Sequence, residues 1–147
     1  MPFCDRSHAI KETNFQSESK KSGDKFEDLV LQDLHARGFS VVDKNVYMDH
    51  TGCEVDFVAH GERFEYIECK GGLDGDKKRP GAKRTDNVKK AIANGSLIKK
   101  IYDSVYYVVY FSDTPEPGSY SDQMINLALK YKLIDEVRYL KNDSNLS

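Results

Sequence analysis

The 147-residue chain lacks the features that define several protein classes. No apolar run approaches the roughly 20 residues that a membrane-spanning helix needs, and the N-terminus has no apolar signal-peptide core. The three cysteines, Cys4, Cys53 and Cys69, include no CxxC pair, which argues against a disulfide scaffold and a zinc knuckle. The glycine-rich motifs GxxxxGK[ST] and GxGxxG, which bind nucleotide phosphates, are absent. We therefore predict a cytoplasmic protein that does not associate with membranes.

The composition is typical of one folded domain. Hydrophobic residues make up 39% of the chain and charged residues 31%, which excludes an intrinsically disordered protein. The length suits one domain and is too short for two ordinary ones. The first residues are polar and show no periodicity, so we predict a flexible arm over 1–20 and a single domain over 21–147.

The charges are unevenly distributed along the chain. Residues 76–100 contain nine Lys/Arg and two acids, whereas the rest of the chain contains 13 basic and 22 acidic residues. A cationic segment on an otherwise anionic protein indicates a surface for a polyanion, and nucleic acid is the commonest one. A solvated loop and helix face is the alternative explanation.

Hydrophobic periodicity predicts an α/β fold with a mixed sheet flanked by helices. The glycine-rich segment 71–85 reads as a loop, and Thr85 or Asp86 as the cap of the helix that follows it. The element order is α-β-β-β-α-β followed by α-β, with helices over 23–37, 86–100 and 119–132 and strands over 40–48, 54–61, 63–71, 104–112 and 135–140.

Two acidic residues occupy positions that a simple fold does not need. Glu27 falls within the apolar arc of the first helix, and Asp56 is surrounded by apolar neighbours in its strand. Burying a carboxylate costs several kcal/mol, roughly 2–7, unless a partner compensates it. The alternative to burial is that Glu27 lies at the edge of the arc and reaches water, and that Asp56 lies on the solvent side of a half-exposed strand. Glu54, two residues before Asp56, is a competing candidate for the same role.

The segment YIECKGG presents an acid and a base on one face of a strand. Glu68 and Lys70 are two residues apart and share a face, while Ile67 and Cys69 point to the other. An exposed ion pair is the commonest fate of such a tripeptide. Because the strand of Asp56 pairs with this strand through a short turn, however, Asp56, Glu68 and Lys70 can converge. Two carboxylates and a nearby main-chain carbonyl suit Mg²⁺ or Mn²⁺.

The order Glu27, Asp56, Glu68-Cys69-Lys70 resembles the PD-(D/E)XK nuclease superfamily. The resemblance covers residues 22–112 and implies the restriction-endonuclease-like core; the small build is similar to Holliday-junction resolvases and to phage or mobile-element nucleases. It implies a Mg²⁺- or Mn²⁺-dependent phosphodiesterase that leaves 5′-phosphate and 3′-hydroxyl ends. Asp56, Glu68 and the Cys69 main-chain carbonyl would hold the metal, Lys70 would act on the attacking water, and Glu27 would have an accessory acidic role. Val55 stands where the family motif has proline, and the glutamine that many relatives carry in the following helix is missing.

We expect the substrate to be DNA. Selectivity for a particular DNA structure, such as a four-way junction, is among the activities that the resemblance implies. Cutting both strands needs two active sites, so we also expect a homodimer. An RNase or tRNase on the same core and a non-catalytic nucleic-acid-binding module are the alternatives. The candidate phosphate contacts are the basic residues of the cationic segment: Lys77, Lys78, Arg79, Lys83, Arg84, Lys89 and Lys90.

Overall fold

The computed structural model describes residues 17–71 and 81–141, and within the first helix its side-chain environments are described from Lys25 onward. The described elements are three α-helices, five strands and one 3₁₀ turn. In chain order they are α1 (Ser17–Ala36), β1 (Ser40–Met48), β2 (Cys53–His60), β3 (Phe64–Lys70), a 3₁₀ turn (Gly81–Lys83), α2 (Thr85–Ile101), β4 (Tyr107–Phe111), α3 (Tyr120–Lys130) and β5 (Glu136–Tyr139).

The strands form one mixed sheet in the order β1-β2-β3-β4-β5. β2 runs antiparallel to both β1 and β3 and is joined to each by a short turn, whereas β3, β4 and β5 are parallel and are linked through helices. β4 is buried at all five of its positions, as expected for a strand covered on both faces. The predicted α/β class and the mixed sheet flanked by helices are therefore confirmed.

Each face of the sheet packs against its own helices. On one face, called the α1 face, α1 residues such as Val30 pack with Phe57 and Val108. On the other, called the α2/α3 face, α2 and α3 residues pack with Val55 and Val109. Neighbouring β4 residues alternate between these two clusters, which assigns each β4 side chain to one face.

Two helix starts differ from the sequence prediction. α1 begins at Ser17 instead of residue 23 and includes the last four residues of the predicted arm; residues 1–16 lie outside the described part. α2 has Arg84 as its N-cap, with no side-chain capping hydrogen bond, so the predicted caps Thr85 and Asp86 are wrong. The chain enters α2 directly from the 3₁₀ turn, which leaves Thr85 already inside the helix.

Gly95, which the Asn94-Gly95 pair marks as a weak point, does not interrupt α2. A Cβ at this position would lie 2.3 Å from the Leu133 carbonyl oxygen and 2.8 Å from the Tyr107 ring. The glycine therefore permits close packing of α2 on the sheet, which offsets its low helix propensity. Within the described ranges, no helix combines the length and apolar character required to cross a membrane.

Candidate active site

The site lies where β2 separates from β3. The two strands pair from His60 and Phe64 up to Phe57 and Ile67, and one further step of that register places Asp56 opposite Glu68. The backbone ladder ends before that step. The two acids therefore face the opening between the strands, as their pairing through a short turn predicts.

The Asp56 carboxylate takes the place of a backbone acceptor at this opening. Its Oδ2 accepts a 2.7 Å hydrogen bond from the Cys69 main-chain N–H. In a strand, the N–H and C=O of one residue point toward the same neighbouring strand. The Cys69 carbonyl therefore points toward the β2 side as well, while the Lys70 carbonyl accepts from the Ser112 N–H on the β4 side.

Glu68 and Lys70 form a largely buried ion pair on the α2/α3 face. The Lys70 Nζ lies 2.9 Å from the Glu68 Oε2, and the two side chains are 19% and 7% exposed respectively. The alternative of a solvent-exposed pair is therefore wrong. The second Glu68 oxygen, Oε1, is buried and has no hydrogen-bond partner among residues 17–71 and 81–141. Such an orphaned carboxylate oxygen is unfavourable in a protein interior unless another group binds it.

The electrostatics of the site disfavour negative charge. Burial raises the pKa of Glu68 to about 7, with a further contribution from the nearby Asp56 charge and an opposing one from Lys70. Burial also raises the pKa of Asp56, against the lowering effects of the Cys69 N–H and of Lys70. Two carboxylates in one desolvated space repel each other, and a bound cation relieves that repulsion.

The donors at this site fit a hard divalent cation that binds two carboxylates and completes its coordination shell with a main-chain carbonyl and waters. Within residues 17–71 and 81–141, no three His, Cys, Asp or Glu side chains form a group able to hold a metal ion. The available oxygen donors are the carboxylates of Asp56 and Glu68, including the unpartnered Oε1, and the Cys69 carbonyl. Mg²⁺ commonly binds through one or two carboxylates and keeps several waters, so this donor set suits it.

Glu27 lies on α1, on the opposite face of the sheet from Glu68 and Lys70. It is half-buried, in agreement with its position inside the apolar arc. Its charge contributes to raising the pKa of the Cys69 thiol, for which burial is the largest cause and Asp56 the second. The structure therefore does not bring Glu27 together with Glu68 and Lys70; Glu27 lies near Cys69, whose main-chain N–H donates to Asp56.

The four candidate phosphate contacts that the structure describes lie just before α2 or in its N-terminal half. Arg84, Lys89 and Lys90 are exposed, and Lys83 is half-exposed. Lys90 lies 3.3 Å from Asp86, and Lys83 lies 4.0 Å from Glu116, so both cations have acidic neighbours on the surface. Lys77, Lys78 and Arg79 fall outside the described residues.

The structure also exposes a feature of the site that the sequence analysis missed. Asn45 on β1 has a left-handed backbone, with φ 51°, directly across from Asp56. The sequence indicates this feature only weakly. Asparagine tolerates a left-handed backbone, and here it occurs inside a strand that is rich in β-branched residues.

The raised pKa of Glu68 predicts how the metal-free protein responds to pH. Between the unfolded value of 4.5 and the folded value of about 7, the folded state retains a proton that the unfolded state releases. The free energy of unfolding should therefore fall as pH rises through this window, by up to about 3 kcal/mol. Urea unfolding in EDTA measures this, and Glu68→Gln should remove most of the dependence. An unchanged pH profile in Glu68→Gln contradicts the assignment.

Comparison with known proteins supports the fold. No family model and no curated protein matches the chain. A structure of an EndoMS–dsDNA complex is similar, with a TM-score of 0.52 and 11% sequence identity over 82% of this chain. The match covers 45% of the EndoMS chain, so this protein spans less than half of that neighbour. At this identity the likeness concerns the fold alone.

Proposed function

We propose that the protein is a metal-dependent endonuclease of the PD-(D/E)XK type that hydrolyses DNA phosphodiester bonds. The observation that carries this proposal is the cluster of buried Glu68 with the partly buried Asp56 and Lys70 at the opening between β2 and β3. A structural role does not account for it, because Glu68 Oε1 has no partner among the described residues and the cluster holds two carboxylates with raised pKa values. Such unfavourable arrangements are typical of functional sites.

Asp56, Glu68 and the Cys69 carbonyl are the residues that would hold Mg²⁺ or Mn²⁺. When bound, the cation would act as a Lewis acid toward the phosphate and lower the pKa of a bound water. Lys70 is anchored by Glu68, so its ammonium group is held at the cation site and can orient the attacking water and stabilise negative charge on the phosphate. The water oxygen bonds to phosphorus and releases a proton to solvent as the bond to the 3′-oxygen breaks, and the departing 3′-oxygen takes a proton from a solvent water, which yields 5′-phosphate and 3′-hydroxyl ends. Glu27 acts in an accessory role through the Cys69 segment.

Nucleic acid is the substrate class that the surface charge favours. The cationic segment 76–100 follows the Lys70 strand almost immediately in the chain, and its described members Arg84 and Lys89 are exposed beside the start of α2. A nucleic-acid backbone bound there would place its phosphates next to these basic side chains. The similar EndoMS structure contains double-stranded DNA, which supports DNA as the substrate. Because cutting a duplex needs two active sites, we also propose that the protein acts as a homodimer.

The assay that tests this function offers a panel of substrates to the purified protein with Mg²⁺ or Mn²⁺, and in parallel with EDTA. The panel contains plasmid, linear duplex, single-stranded DNA, a four-way junction and structured RNA. The proposal predicts metal-dependent cutting of DNA, and preference for the four-way junction would identify junction selectivity. Preference for RNA when both polymers are offered equally would establish the RNase alternative instead. Tight binding without cutting of any substrate would support the non-catalytic module.

A further inference from the structure

The pleats of β1 and β2 slip at the same level, beside the candidate site, and this slip is separate from the register shift between Val41 and Asp43 in β1. Lys44 pairs with Phe57, and Val46 pairs with Val55, yet these two pairs face opposite sides of the sheet. Phe57 packs on the α1 face, whereas Val46 and Val55 pack on the α2/α3 face. Residues two apart in a regular strand share a face. The alternation therefore breaks at the intervening residue in each strand.

The two intervening residues are Asn45 and Asp56. The pairs on either side place these two residues opposite each other, but Asn45 and Asp56 do not themselves form a pair in the β1–β2 ladder. Asn45 has φ 51°, a left-handed conformation that breaks the regular extended geometry of β1 at this point. β2 departs from β3 at the same level, because its last pair with that strand is Phe57 with Ile67.

This double slip explains why the Asp56 carboxylate reaches a backbone group. In a regular strand, its side chain would stand above or below the sheet. Here it accepts the 2.7 Å hydrogen bond from the Cys69 N–H, a donor that normally lies within the plane of the sheet. The interruption thus turns the carboxylate toward β3 and toward Glu68. Without a matching slip in β1, a slip in β2 alone would shift the β1–β2 register and move Val55 off its buried face.

We infer that Asn45 is a positioning residue for the active site: its left-handed backbone lets β1 follow the slip in β2 and so holds the Asp56 carboxylate against the Cys69 N–H. Asparagine tolerates this conformation better than most residues, and a β-branched side chain tolerates it poorly. Asn45 is exposed, so its replacement leaves the hydrophobic core intact. The catalytic consequence of this inference rests on the proposed function, whereas the geometric consequence does not.

The structure offers a matched control for backbone strain. Lys132 also has a left-handed backbone, with φ 61°, and is exposed, but it lies in the turn after α3. Lys132→Val therefore imposes the same conformational conflict away from Asp56. Asn45→Gly supplies the opposite control, because glycine adopts left-handed angles freely and should preserve the slip. Asn45→Ala is a milder version of Asn45→Val in case the valine variant folds poorly.

Hydrogen exchange of the Cys69 amide, followed by NMR in EDTA, tests the geometric part without any metal or substrate. We expect Asn45→Val or Asn45→Ala to speed exchange at this amide by about tenfold relative to amides of β4 in the same protein. Asn45→Gly should retain the native exchange rate, and Lys132→Val should leave this ratio unchanged. Native protection of the Cys69 amide in both Asn45→Val and Asn45→Ala, or equal acceleration in Lys132→Val, would overturn the inference.

Titration of Mn²⁺ and DNA cleavage then test the consequence for the site. The same substitutions should weaken Mn²⁺ binding and slow cleavage by about tenfold, with recovery in Asn45→Gly. If the native protein neither binds Mn²⁺ nor cuts DNA, the proposed function fails, while the exchange result still decides the role of Asn45. If the native protein does both and the Asn45→Val and Asn45→Ala variants match it, the positioning role is wrong.

Discussion

Replacing Lys70 with alanine is expected to lower the rate of DNA cleavage by at least about a thousandfold while leaving DNA affinity nearly unchanged. A positioned group that stabilises charge or assists proton transfer contributes on the order of 10²–10⁴ to the rate, and in the proposed mechanism Lys70 acts on both the water and the phosphate. DNA affinity, in contrast, would be distributed over several exposed cations. Single-turnover cleavage and fluorescence anisotropy measure the two quantities separately.

The design of this experiment must allow for the effect of Lys70 on its ion-pair partner. Lys70 lowers the pKa of Glu68, so its removal favours protonated Glu68. The comparison is therefore made with saturating Mn²⁺ and at a pH well above about 7. Lys130→Ala, an exposed lysine on α3, serves as the matched control and should retain full activity. A Lys70→Ala protein that cuts normally refutes the catalytic role; one that no longer binds DNA makes Lys70 a phosphate contact.

The largest effect on stability is expected from Arg138 on β5. Its guanidinium makes two 2.9 Å hydrogen bonds to the carboxylate of Glu65, which is completely buried, and a third of 2.9 Å to the Tyr110 hydroxyl. Arg138→Ala leaves the Glu65 charge buried with Arg63, also 2.9 Å away, as its remaining ionic partner. Removing one member of such a pair typically costs about 3–5 kcal/mol. Urea unfolding at neutral pH measures this loss.

Two further variants show whether the buried charge is the cause. Replacing both partners, as Glu65→Leu with Arg138→Met, should recover most of the loss because the fully buried carboxylate is gone and Arg63 keeps the acidic neighbours Glu62 and Glu136. Lys90→Ala removes an ion pair whose side chains are both more than 60% exposed, so it should change the free energy of unfolding by less than about 1 kcal/mol. A loss below about 1 kcal/mol for Arg138→Ala would contradict the account of this network.

Much of the fold, and the placement of the central residues of the candidate site, could be predicted because local sequence determines them. The β-branched segment 40–48 became β1 with the predicted bounds, and the period of two in β3 placed Glu68 and Lys70 on one face. Their convergence with Asp56 followed from a single short turn between two strands. These inferences require only periodicity and the pairing of neighbouring strands, which depend little on the rest of the chain.

The features that were missed depend on contacts distant in sequence. Glu65 shares its face with Ile67 and is therefore buried. Its partner Arg138 lies 73 residues away on β5, and local sequence does not predict the position of β5 relative to β3. The slip at Asn45 arises from the geometry of three strands together, and a regular alternation predicts the wrong side-chain direction for Asp56. The burial of Glu68, and hence its raised pKa, likewise results from the assembled sheet and helices.

Calorimetric titration of Mn²⁺ into the native protein and into Asp56→Asn and Glu68→Gln tests the central claim most directly, because the proposed chemistry depends on a cation at these two carboxylates. The account predicts saturable binding to the native protein and at least about tenfold weaker binding to each variant, with folding confirmed by circular dichroism. Glu54→Gln, which removes a nearby exposed acid, should bind nearly as well as the native protein. Native affinity in both Asp56→Asn and Glu68→Gln, or no binding to the native protein, would contradict the metal site.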